Sequence, residues 1–309
     1  MSGPAATRGR SPHRGRRIAA LGVLAVVAAL SLSGCSAKNA FALGWPHGGI
    51  SLQSHNVYNL WIGTVIASAV VGLTVYALIF WCIIRYRKRA TDVGLPEQTR
   101  YNLPIELIYS IVPFLIISVL FYYTARSESY VNRLSAKPQV TVGIVAFKWN
   151  WEFDYTDPNA KLSDGSQIKE IGDSTYIPIL VVPTDQTIQF TEHANDVIHS
   201  FWVPELLFKR DVFPGDVYNK FEVTIVQPGA YVGRCAELCG TYHSQMNFEL
   251  LAITPAQYSQ FLSARQSGMS TPQAINALNL PVSLGGGNNG YATVTHPFDT
   301  SRTADNATP

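Results

Sequence analysis

The chain has 309 residues, 47% of them hydrophobic and 14% charged, with a formal charge of +2. That length holds one or two domains plus appendages, and the absence of a concentrated basic patch excludes nucleic acid as a partner. The positive sign itself comes from the N-terminus: from Cys35 onward the chain carries 18 basic and 21 acidic side chains, a net of −3.

Arg8, Arg10, Arg14, Arg16 and Arg17 precede a small apolar run at residues 18–32, which ends in Leu32-Ser33-Gly34-Cys35. A basic n-region, a short apolar h-region and small residues before a cleavage point describe a secretory signal peptide over residues 1–34. The Leu-Ser-Gly-Cys ending resembles the lipobox of bacterial lipoproteins, in which the Cys, here Cys35, is lipidated and becomes the first residue. An ordinary signal with a chance Cys is the alternative. Residues 35–56 read as an exported N-terminal segment.

Two stretches then reach the ~20 apolar residues that cross a bilayer. Residues 60–84 carry no charge, and residues 103–125 carry one, Glu106. They predict a two-helix transmembrane hairpin over residues 57–125. The loop between them holds Arg85, Arg87, Lys88, Arg89 and Arg100 against Asp92 and Glu97. Excess Lys and Arg marks the cytoplasmic side, so both ends of the hairpin face outward. Cys82 reads as a packing residue within the first span. An ionisable group inside a span is a functional hypothesis by default, although Glu106 sits in the first turn, within reach of interfacial water.

Residues 126–137 read as a connector. From Pro138 the pattern changes to β-branched and aromatic runs at 140–145, 177–182, 187–190, 220–226, 230–232 and 247–253. Turn signals such as Pro158-Asn159, Pro214-Gly215-Asp216 and Pro228-Gly229 separate them. Short strands at this spacing predict a β-sandwich or barrel over residues 138–268. Thr254 as N-cap and Pro255 in first position open a short helix. Residues 269–309 read as a polar tail with a flexible linker at Gly285-Gly286-Gly287-Asn288-Asn289-Gly290. The fold class is a membrane-anchored all-β protein. Its exported part is acidic, with 11 basic and 16 acidic residues between Arg126 and Gly268.

The chemistry is concentrated in Cys235-Ala236-Glu237-Leu238-Cys239-Gly240-Thr241-Tyr242-His243-Ser244-Gln245-Met246. Two thiols, an imidazole and a thioether fall within twelve residues, and His199 lies upstream. Thiolate and thioether are soft ligands that select copper, and imidazole suits it. One Cys with two His and a Met suggests a one-copper blue site; a second Cys lets two thiolates bridge two coppers. Sharing one unpaired electron over both metals leaves little to move when an electron arrives, so the pattern points to electron transfer. Three other readings stand beside it: a Cys-x3-Cys disulfide, a structural zinc held by two Cys and two His, and a copper chaperone with a thiol pair.

Two spans followed by a β-domain bearing Cys-x-Glu-x-Cys-x3-His-x2-Met resemble subunit II of haem–copper cytochrome c oxidase. Asp196-Val197-Ile198-His199-Ser200-Phe201 with Val203-Pro204 resembles the family segment carrying the first copper His. Lys148-Trp149-Asn150-Trp151-Glu152-Phe153 resembles its aromatic stretch, with Asn150 where many relatives have an aromatic. Pro104-Ile105-Glu106 through Pro113 resembles the start of its second helix. The match runs over residues 60–261, and the lipobox and long tail resemble the actinobacterial branch.

The resemblance implies a cupredoxin-like β-barrel after the hairpin. It makes His199, Cys235, Glu237 (by its carbonyl), Cys239, His243 and Met246 the ligands of a dinuclear copper A centre. The Glu237 side chain then helps hold magnesium or manganese at the contact with subunit I. Trp149 takes electrons from the donor, and Glu106 stands at the entrance of a proton pathway. The implied partners are oxidase subunits I and III, membrane lipid, and cytochrome c or a cytochrome c domain of the preceding respiratory complex. Haem a belongs to subunit I. The implied place is the plasma membrane, multi-pass, with the copper domain outside. His193 matches no family ligand and reads as surface or packing. The alternatives are a copper-delivery or thiol-redox protein for oxidase assembly and a copper-free quinol oxidase subunit.

Overall fold

The computed structural model describes residues 45, 48–89, 91–95, 98–158 and 160–278. The signal region, Cys35 and the glycine-rich linker lie outside these residues.

Two long helices come first, α1 (Leu52–Arg85) and α2 (Leu103–Val131). Both have a mean hydropathy of 2.2, and none of either apolar window is buried within the protein. At 1.5 Å per residue they span about 50 and 43 Å, more than the ~30 Å hydrocarbon core requires. Their apolar surface has no protein to cover it, which suits lipid. Within the helices Thr64, Thr74, Ser118 and Thr124 each donate to the carbonyl four residues back, at 2.8–2.9 Å. None of these hydroxyls is thus left unsatisfied toward hydrocarbon.

Both helices overrun the spans expected from hydropathy. The first begins at Leu52, eight residues early, and the second runs six residues into the expected connector. The reason is tertiary. Ser51 caps α1 in a reciprocal capping box with Ser54, and both serines are fully buried. Ser127 and Val131 at the end of α2 are buried too. Several bonds anchor these outer turns: Ser127 Oγ to Asn56 Oδ1 at 2.5 Å, Thr224 N–H to Gln53 Oε1 at 3.0 Å, and Ile50 N–H to the Glu205 carbonyl at 3.1 Å. Arg210 donates to Asn132 just past α2. The connector is tied down as well, because Ser135 donates from N–H and Oγ to the Glu222 carboxylate at 2.9 and 3.0 Å.

The β-domain has ten strands: β1 (Val140–Phe147), β2 (Asn150–Tyr155), β3 (Lys169–Ile171), β4 (Ile179–Pro183), β5 (Thr187–Ala194), β6 (His199–Val203), β7 (Phe208–Val212), β8 (Asn219–Thr224), β9 (Gly229–Cys235) and β10 (Asn247–Ile253). They form two five-stranded sheets, ordered β3-β2-β1-β5-β8 and β4-β10-β9-β6-β7. The β1–β5 and β4–β10 pairs are parallel and the others antiparallel. Strands β1 and β5 alternate buried and half-buried residues, the signature of one face on the core. Strands β4 and β10 are buried at every position, as a pair covered on both faces must be. Aromatic rings join the sheets: Trp151 on β2 meets Phe248 on β10 at 5.3 Å and Phe201 on β6 at 6.0 Å.

Helix α3 (Pro255–Gln266) starts at the predicted cap, with Thr254 bonding Gln257 N–H and Pro255 in first position. The chain does not become a free polar tail at Gly268. A further helix, α4 (Thr271–Ala277), follows a second capping box, Ser270 with Gln273. It buries Thr271, Ala274 and Ile275, and Thr271 donates to Glu170 at 2.5 Å. The β-domain therefore runs through residue 278.

Candidate metal centre

The site is built where β6, the end of β9 and the loop before β10 meet. His199 opens β6 and Cys235 closes β9; in these neighbouring antiparallel strands Cys235 pairs with Phe201, two residues from His199. The intervening loop turns at Gly240, whose φ of +123° lies in the region that favours glycine. A Cβ there would meet the Trp149 indole at 3.1 Å. Cys235 N–H bonds the Met246 carbonyl and Ala236 N–H bonds the Ser200 carbonyl, both at 3.0 Å, so the loop closes on the sheet through its backbone.

The ligand atoms converge. Sγ of Cys235 and Sγ of Cys239 are 3.9 Å apart, well beyond the ~2.0 Å of a disulfide, and both cysteines are free. His199 Nδ1 lies 3.8 Å from Cys235 Sγ, and His243 Nδ1 lies 3.6 Å from Cys239 Sγ. Met246 Sδ is 3.8 Å from Cys239 Sγ, and the Glu237 carbonyl oxygen is 3.2 Å from Cys235 Sγ. The donor atoms of His199, Cys235 and Cys239 all fall within 4.8 Å of one another. Two ligands about 2.0–2.3 Å from one tetrahedral ion are themselves about 3.5 Å apart, so this spacing fits metal. The donor set also fits copper better than zinc: Met246 is fully buried with its thioether beside the thiols, a ligand zinc sites do not use and copper does.

Electrostatics make one proton of the pair easier to lose and the other harder. The hydrogen bond from Cys239 pulls the Cys235 thiol down to about 4, with His199 assisting, while the neighbouring sulfur pushes Cys239 up. A cation held between the two sulfurs favours loss of both protons. Burial depresses His199, but its bonds to Cys235 and Asp196 outweigh burial and hold the imidazole above its usual range. Asp196 Oδ1 lies 2.8 Å from His199 Nε2. A carboxylate there fixes the ring with Nδ1 toward the sulfurs, a common arrangement behind ligating histidines.

The tryptophans hold the loop from beneath. Trp149 Nε1–H donates to the Cys239 carbonyl at 3.2 Å and meets Tyr242 edge-on at 4.9 Å. Trp151, wholly buried, donates to the Met246 carbonyl at 3.4 Å. The Glu237 carboxylate is half-exposed, 3.9 Å from Lys209 Nζ. His193 is a packing residue, stacked on Tyr218 at 5.0 Å. Glu106 lies in the first turn of α2, where its carboxylate accepts the Asn102 N–H at 2.9 Å.

Sequence reasoning assigned no role to Asp196, Gly240 or Tyr242. The habitual pairing of a ligating His with an oxygen acceptor was a usable signal for Asp196, three residues before His199. Gly240 and Tyr242 contact a residue about ninety positions away, which no local pattern reveals. Glu152 and Asp154, which follow Trp149 closely in sequence, are bound by Lys169 at 2.5 and 3.2 Å and are mostly shielded.

A family model described as cytochrome c oxidase subunit II, periplasmic domain, matches residues 140–253. Cytochrome c oxidase subunit 2 of Mycobacterium tuberculosis is 39% identical over 340 aligned positions, covering 94% of this chain and 91% of that protein. The chain belongs to the cytochrome c oxidase subunit II family. Subunit 2 of Corynebacterium diphtheriae is 33% identical, with 93% of each chain covered. Among solved structures, the periplasmic domain of subunit II of cytochrome oxidase from Bradyrhizobium japonicum is 21% identical. That match covers 44% of this chain and 100% of that one, at a TM-score of 0.38. As a subunit II, the protein is a membrane-anchored part of a haem–copper terminal oxidase and works with other oxidase subunits; the family does not favour a free-standing copper-delivery protein.

Proposed function

We propose that this chain is the electron-input subunit of the oxidase. It accepts single electrons from a c-type cytochrome at a dinuclear copper A centre and hands them to haem a of subunit I, where oxygen is reduced to water. The observation that carries this reading is the pair of unbonded thiols, each with its own imidazole, in a pocket with a buried thioether. Two coppers held there would supply a one-electron carrier.

His199, Cys235, Cys239, His243 and Met246, with the Glu237 carbonyl, would hold the metal. The protein's own part is to fix the ligands beforehand. Asp196 aims His199, the sheet carbonyls pin both ends of the loop, and Trp151 and Met246 keep water from the sulfurs. A pocket that needs no rearrangement on changing charge lowers the barrier to transfer. The exposed Glu237 carboxylate offers a hard oxygen ligand for magnesium or manganese at the contact with subunit I. Trp149, bonded to the copper loop and edged by Tyr242, is the route inward from the donor.

The same reading places residues 1–34 as a signal peptide, Cys35 as a lipid anchor, the hairpin loop in the cytoplasm and the β-domain outside the plasma membrane. Subunit III and a cytochrome c, free or fused to the preceding respiratory complex, complete the assembly. Glu106 on the cytoplasmic side collects protons for subunit I.

The test is stopped-flow reduction of the assembled oxidase by reduced cytochrome c. Trp149→Phe keeps an aromatic ring but loses the bond to the loop, so it is a cleaner variant than alanine. Slower reduction at unchanged copper content is expected. Wild-type kinetics in that variant would remove Trp149 from the route.

A further inference from the structure

A groove of about 560 Å³ opens between α1 and α2 at the ends nearest the β-domain. Its mouth is polar, formed by Asn59, Tyr123 and Arg126, and its floor is apolar, formed by Gly63, Ala67 and Leu120. Small residues four apart, as Gly63 and Ala67 are, usually let two helices touch. Here they do not, since a Cβ built on Gly63 would meet no atom within 4 Å. The helices are instead bridged above the groove by the Ser127–Asn56 hydrogen bond.

Arg126 stands at the mouth as an exposed cation. Among the described residues no carboxylate lies within ion-pair distance of it. An unpaired cation and two neutral hydrogen-bonding side chains above an empty apolar slot match one ligand chemistry, an anionic amphiphile. We propose that the groove binds one anionic phospholipid of the outer leaflet, its phosphate at Arg126, Asn59 and Tyr123 and an acyl chain along Gly63 and Ala67. The placement in the outer leaflet rests on the topology proposed above.

A neighbouring transmembrane helix suits the groove less well, because it would have to bring an acid to Arg126. A lipid brings both parts at once, and it fills the wedge directly beneath the turns that hold the β-domain.

The assembled oxidase, exchanged from its native membrane into phosphatidylcholine nanodiscs, provides the test. Phosphatidylglycerol retained per complex is counted by mass spectrometry, and phosphatidylglycerol with a diazirine on one acyl chain is photo-crosslinked in parallel. Wild type should retain one molecule and label peptides containing Gly63 or Leu120. Arg126→Gln should lower retention about fivefold, the weight of one basic residue against an anionic headgroup. Gly63→Leu, which fills the slot and keeps the cation, should abolish labelling at the floor, while Arg133→Gln, outside the groove, should change neither readout. Undiminished retention in both groove variants, or capture of a helix from another subunit in the slot, would overturn the proposal. Copper content measured on the same samples separates this outcome from failure of the electron-input reading.

Discussion

The copper loop and the membrane hairpin solve opposite problems. The loop is enclosed: its backbone is bonded to β6 and β9, two tryptophans donate to its carbonyls, and its thioether and both thiols are buried. The hairpin is bare: none of either apolar window is buried within the protein, and its specific contacts gather in the turns beside the β-domain. One region is finished by protein. The other is finished by its solvent and by other subunits. Rigidity thus lies where an electron must be received without rearrangement, and the anchor keeps a surface that suits lipid.

The sharpest way to break the contrast is to remove a sulfur. Cys235→Ser or Cys239→Ser should abolish the paired-copper spectrum, because each thiolate is assigned to both metals, while far-ultraviolet circular dichroism stays native because the loop is held by backbone bonds. Retention of a two-copper spectrum in either variant would show that bridging is the wrong geometry.

Truncation at Gly268 tests how much the enclosure owes to α4. It removes the buried Ile275, worth about 1.5–3 kcal/mol, and leaves the buried Glu170 without its Thr271 donor, about 1–3 kcal/mol more. The fragment 138–268 should therefore unfold at clearly lower denaturant than 138–278. Equal midpoints would make α4 an ornament.

Glu249 on β10 probes the interior electrostatics. It is 1% exposed, one of its oxygens has no hydrogen-bond partner, and burial pushes its carboxyl from 4.5 up to about 7. The unfolded chain ionises there first. The group's contribution to stability is therefore whole below about pH 4.5 and falls away as pH climbs toward 7. Glu249→Gln should raise stability at pH 8 by about 3–4 kcal/mol, since each tenfold loss of acidity on folding costs about 1.4 kcal/mol once the group must ionise, and change little at pH 4.5. A parallel offset at both pH values would show that packing, not ionisation, is at work.

Met246→Leu should be milder than the cysteine changes: copper stays and the reduction potential moves, because axial softness tunes such sites. On the hairpin, Glu106→Gln keeps an oxygen to accept the Asn102 N–H but cannot ionise. Slower steady-state oxygen reduction with normal copper content is expected. Wild-type turnover from pH 6 to 8 would leave Glu106 only its capping role.

The ligand set was legible because five of its six members share one short loop and their softness speaks for copper without knowledge of the fold. The spans were legible because solvation by lipid is a matter of composition. The helix ends were not, because the polar outer turns are fixed by tertiary bonds, Gln53 to Thr224 of β8 and Ser127 to Asn56 of the other helix. Strands β6 and β7 escaped the periodicity reading: His199-Ser200-Phe201-Trp202-Val203 is buried at four of five positions and does not alternate. Helix α4 was missed although its signal was present, since Ser270 and Gln273 form the same cap that identified α3.

The central claim is that this pocket holds two coppers as one electron carrier, and the direct measurement is metal content with electron-spin resonance on the copper-loaded fragment 138–278. The account predicts two coppers per chain, a purple oxidised form, and hyperfine splitting from one unpaired electron shared equally by both nuclei. A single tightly held zinc, or one copper with hyperfine splitting from a single nucleus, would contradict it.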